Sequence, residues 1–378
     1  MKIAIIGSHN WPINNPATPP YTGDFFMALL CKGLDELGHT VSFVAPKGSY
    51  KPPNGFLIDM PAAHGKYPPS SFDCECAAYY ENEQKLKDQD VVCDFSHTKF
   101  IAESLFKAGK KEVCSSILSG WNYPMTPRNI IVCSEAQRIR GLTGDTDYAN
   151  TLIPEMGGPR QRVITSAKVV HLGIDTDFYV STKQDENFHT PIGTEKNDYF
   201  LWMGRWHPVR GYKEAIEIAK ATGINLIMAG EDPQEALMPH QRECCLEAQE
   251  LAANCHNIVF RWLPANSVAN AYKRKLLSNA KAFLLTTQYQ EPFGLSQVEA
   301  MSCGCPIIST SYGSMPEVIG DCGFCVANDV KSFSNMIERV HLIDPEQCKK
   351  RAVKLFDYRV MAKNYEKLFS ELVNGGSW

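Results

Sequence analysis

The 378-residue sequence contains no apolar run near the roughly 18 residues a membrane span needs. Its opening Met-Lys-Ile-Ala-Ile-Ile is too short for the apolar core of a secretion signal, so a cytoplasmic location is expected. A large excess of charge of one sign is lacking as well. With Lys+Arg at 38 and Asp+Glu at 42, the net charge is -4, which gives no electrostatic reason to expect nucleic acid as a partner. The first apolar run is not followed by G-x-G-x-x-G, which excludes the dinucleotide fingerprint at that position. No second C-x-x-C accompanies Cys322 and Cys325 to complete a zinc site, and no helical pattern follows the pair for redox work. The triplets Asp145-Thr-Asp147 and Asp175-Thr-Asp177 read as turns rather than metal motifs. The 14 cysteines include several, such as Cys93, Cys114 and Cys133, in apolar contexts where cysteine behaves as a small hydrophobe, so reduced thiols are expected. Cys303 and Cys305, flanking Gly304, are the pair where oxidation sensitivity would fall.

The chain is long enough for two domains with proper cores, and 44% hydrophobic with 21% charged residues describes an ordinary globular protein. Short buried-strand patterns at 2–6, 41–45, 90–95, 113–118 and 129–133 are interleaved with helical patterns. A second series follows at 199–203, 225–229, 257–263, 282–285 and 307–309. Strands alternating with helices, twice over, predict two open α/β sheets with a ligand in the cleft between them. The expected domains are 1–178 and 196–357, joined through the polar stretch after Ser181, with 358–378 returning to the first. Residues 46–72, rich in Pro, Gly and Ser, read as a long, partly irregular connection facing an acceptor. The stretch 99–111 is basic and amphipathic, which suits packing on a sheet and leaves a peripheral membrane contact open.

Chemistry is most legible between Gln290 and Ser309. Pro292 and Gly294 break a strand pattern, and a helix begins at about Leu295. On that helix Glu299 lies on the same side as Leu295, Val298 and Ser302, so a carboxylate is aimed at a buried face and needs donors, from protein or ligand hydroxyls. Glu291 sits in the loop before the helix. The free amides of the first turn, around Gly294, Leu295 and Ser296, make a seat for phosphate between the two acids. A ligand with phosphate in the middle and hydroxyls at both ends suits such a seat, and a nucleotide sugar has that shape. Earlier, Arg205 and Arg210 follow a strand five residues apart and can both reach one diphosphate.

The string Glu-Pro-Phe-Gly-Leu, 291–295, followed by Glu-Ala-Met-x-x-Gly-x-Pro, 299–306, resembles the signature of the retaining glycosyltransferases of family 4, group 1, with the GT-B fold. Gly204-Arg205 through Arg210-Gly211 resembles that family's G-R-x(4)-K-G, with Arg210 where Lys is usual. A planar fork there replaces a point charge. Asp94-x-x-His97 resembles its D-x-x-H, Gly313-Ser-Met-Pro-Glu317 its G-G-x-x-E turn, and Gly23 its glycine loop, with Asp24 at the second position. The resemblance implies transfer of a sugar, a hexose foremost, from a nucleotide-diphosphate donor to an acceptor hydroxyl on one face of the sugar, without metal or further cofactor. It assigns Arg205 and Arg210 to the diphosphate, Glu299 to the ribose, Glu291 to the donor sugar and His97 to the sugar or acceptor hydroxyl. Gly23, Arg261, Leu263, Phe293, Gly294, Leu295 and Ser296 complete the expected donor contacts. The acceptor, whether glycan, lipid-linked or small molecule, is not specified. A nucleotide-sugar epimerase or hydrolase and a non-catalytic binding subunit are the alternatives.

Overall fold

The computed structural model describes residues 1–8, 12–13, 25–61, 71–118, 127–143, 165–180, 198–234, 239–263 and 267–378. They form two compact units. One holds the described residues up to Asp175 together with Asp357–Trp378, and the other holds Thr176–Phe356.

The first unit is built on β1 (Lys2–Ile6), β2 (Thr40–Pro46), β3 (Phe56–Met60), β4 (Val91–Asp94), β5 (Val113–Ile117), β6 (Ile130–Val132) and β7 (Lys168–Val169). Among the described residues these run parallel in the order β3-β2-β1-β4-β5-β6-β7. Their central strands are continuous apolar runs because helices cover both faces, which removes the alternation of a half-exposed sheet. Those helices are α1 (Phe25–Glu36), α2 (Ser71–Lys87), α3 (Phe100–Lys107) and α4 (Glu135–Thr143). In α3 the apolar residues Ile101, Ala102 and Leu105 are buried in the core formed with β4 and β5. β3 lies within 46–72, the stretch expected to be partly irregular. This is a short edge strand behind Pro52 and Pro53, with Phe56 exposed and only Ile58 and Met60 buried, so too few alternating positions mark it.

The second unit carries β8 (Phe200–Met203), β9 (Leu226–Gly230), β10 (Ile258–Trp262), β11 (Ala282–Leu285), β12 (Ile307–Thr310) and β13 (Gly323–Val326). Its order is β10-β9-β8-β11-β12-β13, again parallel. Around it lie α5 (Thr176–Val180), α6 (Tyr212–Thr222), α7 (Pro239–Leu251), α8 (Ser267–Ser278), α9 (Leu295–Ser302), α10 (Met315–Ile319), α11 (Val330–Ile337) and α12 (Pro345–Phe356). The last helix, α13 (Tyr358–Val373), belongs to the first unit, where its stripe of Met361, Tyr365, Leu368 and Phe369 is buried. It comes so close to α1 that a Cβ on Gly33 would lie 2.6 Å from that of Ala362. No helix among the described residues is long and apolar enough to cross a membrane.

In each sheet the strand order reverses at one point, between β1 and β4 in the first and between β8 and β11 in the second. Open α/β sheets bind ligands outside the carboxyl ends of the strands at such a reversal, because the connections diverge there and leave a crevice.

Candidate functional site

At the second unit's reversal, the segment after β8 meets the segment after β11. Past Gly204, Trp206 is fully buried and donates from its indole to the Glu231 carbonyl at 2.8 Å. His207 caps a 3₁₀ turn over Pro208–Arg210, its Nδ1 accepting from the Val209 amide at 3.3 Å. Gly211 then has φ of +73°, and a Cβ there would lie 1.7 Å from the Thr286 carbonyl. Only glycine permits this approach. The Thr286 hydroxyl donates back to the Gly211 carbonyl at 2.6 Å, and the Gln288 amide donates to that of Val209 at 2.8 Å, locking the two segments together.

This lock delivers Arg210 to Glu291. The Arg210 Nη1 donates to Glu291 Oε2 at 2.7 Å, the Tyr289 hydroxyl donates to the same oxygen, and the guanidinium stands 5.0 Å from the Tyr289 ring centre. Glu291 is largely buried and Arg210 partly so, which makes this charge-assisted bond stronger than a surface ion pair. From the other side, the turn that starts α10 braces the loop. The Ser314 amide donates to the Glu291 carbonyl at 2.9 Å, and the Ser314 hydroxyl donates to that of Phe293 at 3.0 Å. Gly313, with φ of +60°, lies so near Glu291 that a Cβ would sit 2.3 Å from its carbonyl oxygen.

Helix α9 starts from Gly294 with no side chain capping its first turn, so those amides are available to an anion. Gly294, Leu295 and Ser296 are partly exposed, whereas the next six residues are buried. Phe293 turns its ring inward, edge-on to Phe356 at 5.6 Å, so this loop offers backbone there rather than an aromatic surface. Gln297 is fully buried and donates to the Phe293 carbonyl at 2.7 Å, while its Oε1 meets no donor among the described residues.

Glu299 is buried, as its position on the helix requires, and its donors come from the protein. Lys273 Nζ on α8 lies 2.6 Å from each carboxylate oxygen, and the Tyr179 hydroxyl on α5 donates to Oε1 at 2.9 Å. Lys273 is itself buried.

Arg205 is exposed at the end of β8. Burial pulls the His207 imidazole below its usual pKa, and the charges of His240, Arg205 and Arg210 add to the effect. Arg261 and Leu263 end β10, which β9 separates from β8, about 10 Å across the sheet from the reversal. There Arg261 donates to the Phe260 carbonyl at 2.7 Å, and the Leu263 amide donates to that of Gly230 at 2.8 Å. The structure therefore gathers Arg210, Glu291 and the start of α9, and sets Arg261 and Leu263 apart. Gly23 lies outside the described residues, as do Asp145-Thr-Asp147 and the polar stretch from Ser181 to Asn197.

His97 is at the first unit's reversal, exposed in the turn after β4. Three buried charges hold that turn. Asp94 accepts from the Ser96 and Ala102 amides at 2.8 and 3.0 Å, and Glu75 from the Ser96 hydroxyl and Thr98 amide at 2.9 and 3.0 Å. Lys99, at a φ of +63°, donates from Nζ to the carbonyls of Asp94, Ser96 and Ser116 at 3.1, 2.6 and 2.9 Å. Burial, then the Asp94 charge, pushes the Glu75 carboxyl up, and burial brings Lys99 down.

Sequence reasoning missed Tyr289, Lys273 and Tyr179. Lys273 had a signal, because it shares a face with Leu276, Leu277 and Ala280 at helical spacing, a lysine among core positions. The oxidation sensitivity expected at Cys303 and Cys305 runs against their burial, which holds both thiols protonated; that of Cys303 is pushed up to about 12. Among the described residues no group of three or more His, Cys, Asp or Glu is arranged to hold a metal ion.

Residues 183–354 match the family model for glycosyl transferases group 1. Sucrose synthase of Solanum tuberosum is 29% identical over 107 residues, which is 27% of this chain and 13% of that protein. A glycosyltransferase of avilamycin A biosynthesis, AviGT4, superimposes with a TM-score of 0.68 at 22% identity, over 100% of this chain and 99% of that one. HepE of Anabaena, solved in complex with UDP and glucose, gives a TM-score of 0.64 at 15% identity, over 98% of this chain and 100% of that one. The likeness to solved structures shows the fold, two Rossmann-like α/β units of the GT-B type. The family match over residues 183–354 is what supports the group 1 glycosyltransferase family.

Proposed function

We propose that this chain is a retaining glycosyltransferase that moves a hexose from a nucleotide-diphosphate sugar to an acceptor hydroxyl. One observation carries the reading: the Arg210–Glu291 pair stands at the strand-order reversal of the second sheet, beside the uncapped start of α9. The group 1 match over the same unit supports it, as does HepE's complex with UDP and glucose.

In this reading the diphosphate sits on the first-turn amides of α9 and is neutralised by Arg205 and Arg210. Their positive charge stabilises the leaving diphosphate as the glycosidic bond breaks, without a metal ion. Glu291 spends Oε2 on Arg210 and Tyr289, which makes it an anchor for sugar hydroxyls and a poor covalent nucleophile. A donor phosphate oxygen takes the acceptor proton on the same face of the sugar. Glu299 lies four residues into α9 from Leu295, about 6 Å along the axis, a spacing that suits a ribose next to a diphosphate. His97 is assigned to a hydroxyl of the sugar or acceptor.

Thermal stabilisation by UDP-, GDP-, ADP- and TDP-sugars tests the reading. A donor at 100 times its Kd adds about 2.7 kcal/mol. One nucleotide series is expected to stabilise the wild type and neither Arg205→Ala nor Glu299→Ala. No stabilisation by any series removes the donor-site assignment. Breakdown or epimerisation of donor alone at the rate seen with acceptor replaces transfer by the hydrolase or epimerase reading.

A further inference from the structure

We infer that Lys273 and Tyr179 are positioning residues for Glu299, and that together they set the preference for a ribose over a deoxyribose ligand. This rests on the assignment of Glu299 to the ribose.

The geometry begins with an expensive choice. Lys273 and Glu299 are 7% and 6% exposed, so both charges have left water. A buried ion pair is a poor source of stability, and well-packed apolar residues of similar volume often serve as well or better. A use beyond stability is therefore called for. The Lys273 ammonium is 2.6 Å from both carboxylate oxygens, while the Tyr179 hydroxyl holds Oε1 at 2.9 Å. Those donors come from α8 and α5, two elements apart from α9 itself, so the carboxylate cannot rotate without breaking a contact to one of them.

An ionised carboxylate offers about four lone-pair sites. Tyr179 and Lys273 fill those of Oε1, and Lys273 takes one on Oε2, which leaves Oε2 to receive a further donor in a fixed direction. Glu299 shares its face of α9 with Leu295, one turn nearer the helix start, so a hydroxyl bound at Oε2 belongs to the group adjoining the anion held there. Tyr179 in turn is fixed by its own segment. Arg274 on α8 donates to the Phe178 carbonyl at 2.7 Å and stands 4.6 Å from the Phe178 ring centre, clamping α5 beside the pair.

The test is calorimetric titration of UDP, GDP and ADP, and of their 2′,3′-dideoxy counterparts, into wild type, Lys273→Met, Lys273→Arg and Tyr179→Phe. A hydrogen bond to a charged acceptor predicts a roughly 10- to 100-fold preference of the wild type for the ribose form. Lys273→Met should cut that preference to about threefold or less, Tyr179→Phe should fall between, and Lys273→Arg should restore most of it. A merely structural pair would lower the melting temperature and weaken both ligand forms equally. Wild-type preference retained in Lys273→Met overturns the inference; if that variant does not fold, unchanged preference in Tyr179→Phe does so. A wild type that binds ribose and dideoxy forms alike overturns the ribose assignment itself.

Discussion

Gly211→Ala separates backbone strain from the close approach that builds the site. Gly211 and Gly223 bracket α6, with φ of +73° and +69°. An alanine at either costs about 1–2 kcal/mol for the left-handed backbone. At Gly223 nothing lies within 4 Å of the new Cβ, so that cost is the whole effect. At Gly211 the Cβ falls 1.7 Å from the Thr286 carbonyl oxygen and 2.8 Å from its hydroxyl. Backbone must move, which adds about 1–3 kcal/mol of overpacking. The 2.6 Å bond from Thr286 to Gly211 breaks for about 1 kcal/mol more. Gly211→Ala should thus lose roughly 2–4 kcal/mol beyond Gly223→Ala. Near 2–4 °C per kcal/mol for a unit of this size, the melting difference is at least about 4 °C. Scanning calorimetry measures it, and nucleotide-sugar titration in parallel should show Gly211→Ala alone losing affinity, because Arg210 adjoins the displaced residue. Equal melting temperatures in the two variants would refute the reasoning.

Arg210→Met should abolish stabilisation by the donor and lower stability by about 1–3 kcal/mol, since Glu291 keeps only Tyr289; adding Glu291→Gln should recover the stability and not the binding, read by denaturant titration. Burial lowers the His207 pKa, so the folded state resists protonation there, and the contribution is present above the unfolded value of about 6.5 and lost as pH falls through the lower folded one. Stability should therefore decline over that acid range in wild type, and less so in His207→Asn, whose amide oxygen can cap the same turn, as read by denaturant titration. Cys303, pushed up to about 12 from an ordinary value near 9, contributes stability below pH 9 that is lost towards pH 12. At pH 8 a thiol reagent should label it only as fast as the protein unfolds, and prompt labelling of the native state would contradict its burial.

Local signals carried most of the fold. β1, β2, β8 and β11 are compact apolar runs ended by glycine or polar residues, and α9 announces itself with Pro292 and Gly294. Arg210 and Glu291 were nameable from their strings, yet their contact spans 81 residues and depends on the order of strands. Lys273 and Tyr179 approach Glu299 across 26 and 120 residues, and no local pattern records a separation of that kind. β3 and β13 escaped notice for the opposite reason. As edge strands of five and four residues with partly exposed side chains, they bury too little to imprint a period.

The return of α13 to the first unit shapes how the protein is made. The second unit is continuous from Thr176 to Phe356, so all its strands leave the ribosome before α13 does. Until Asp357–Trp378 emerges, α1 lacks the surface that meets Gly33, and Ser116 lacks the Tyr365 hydroxyl 2.9 Å away. The first unit accordingly waits while the second is translated, with an apolar helix face that chaperones can hold.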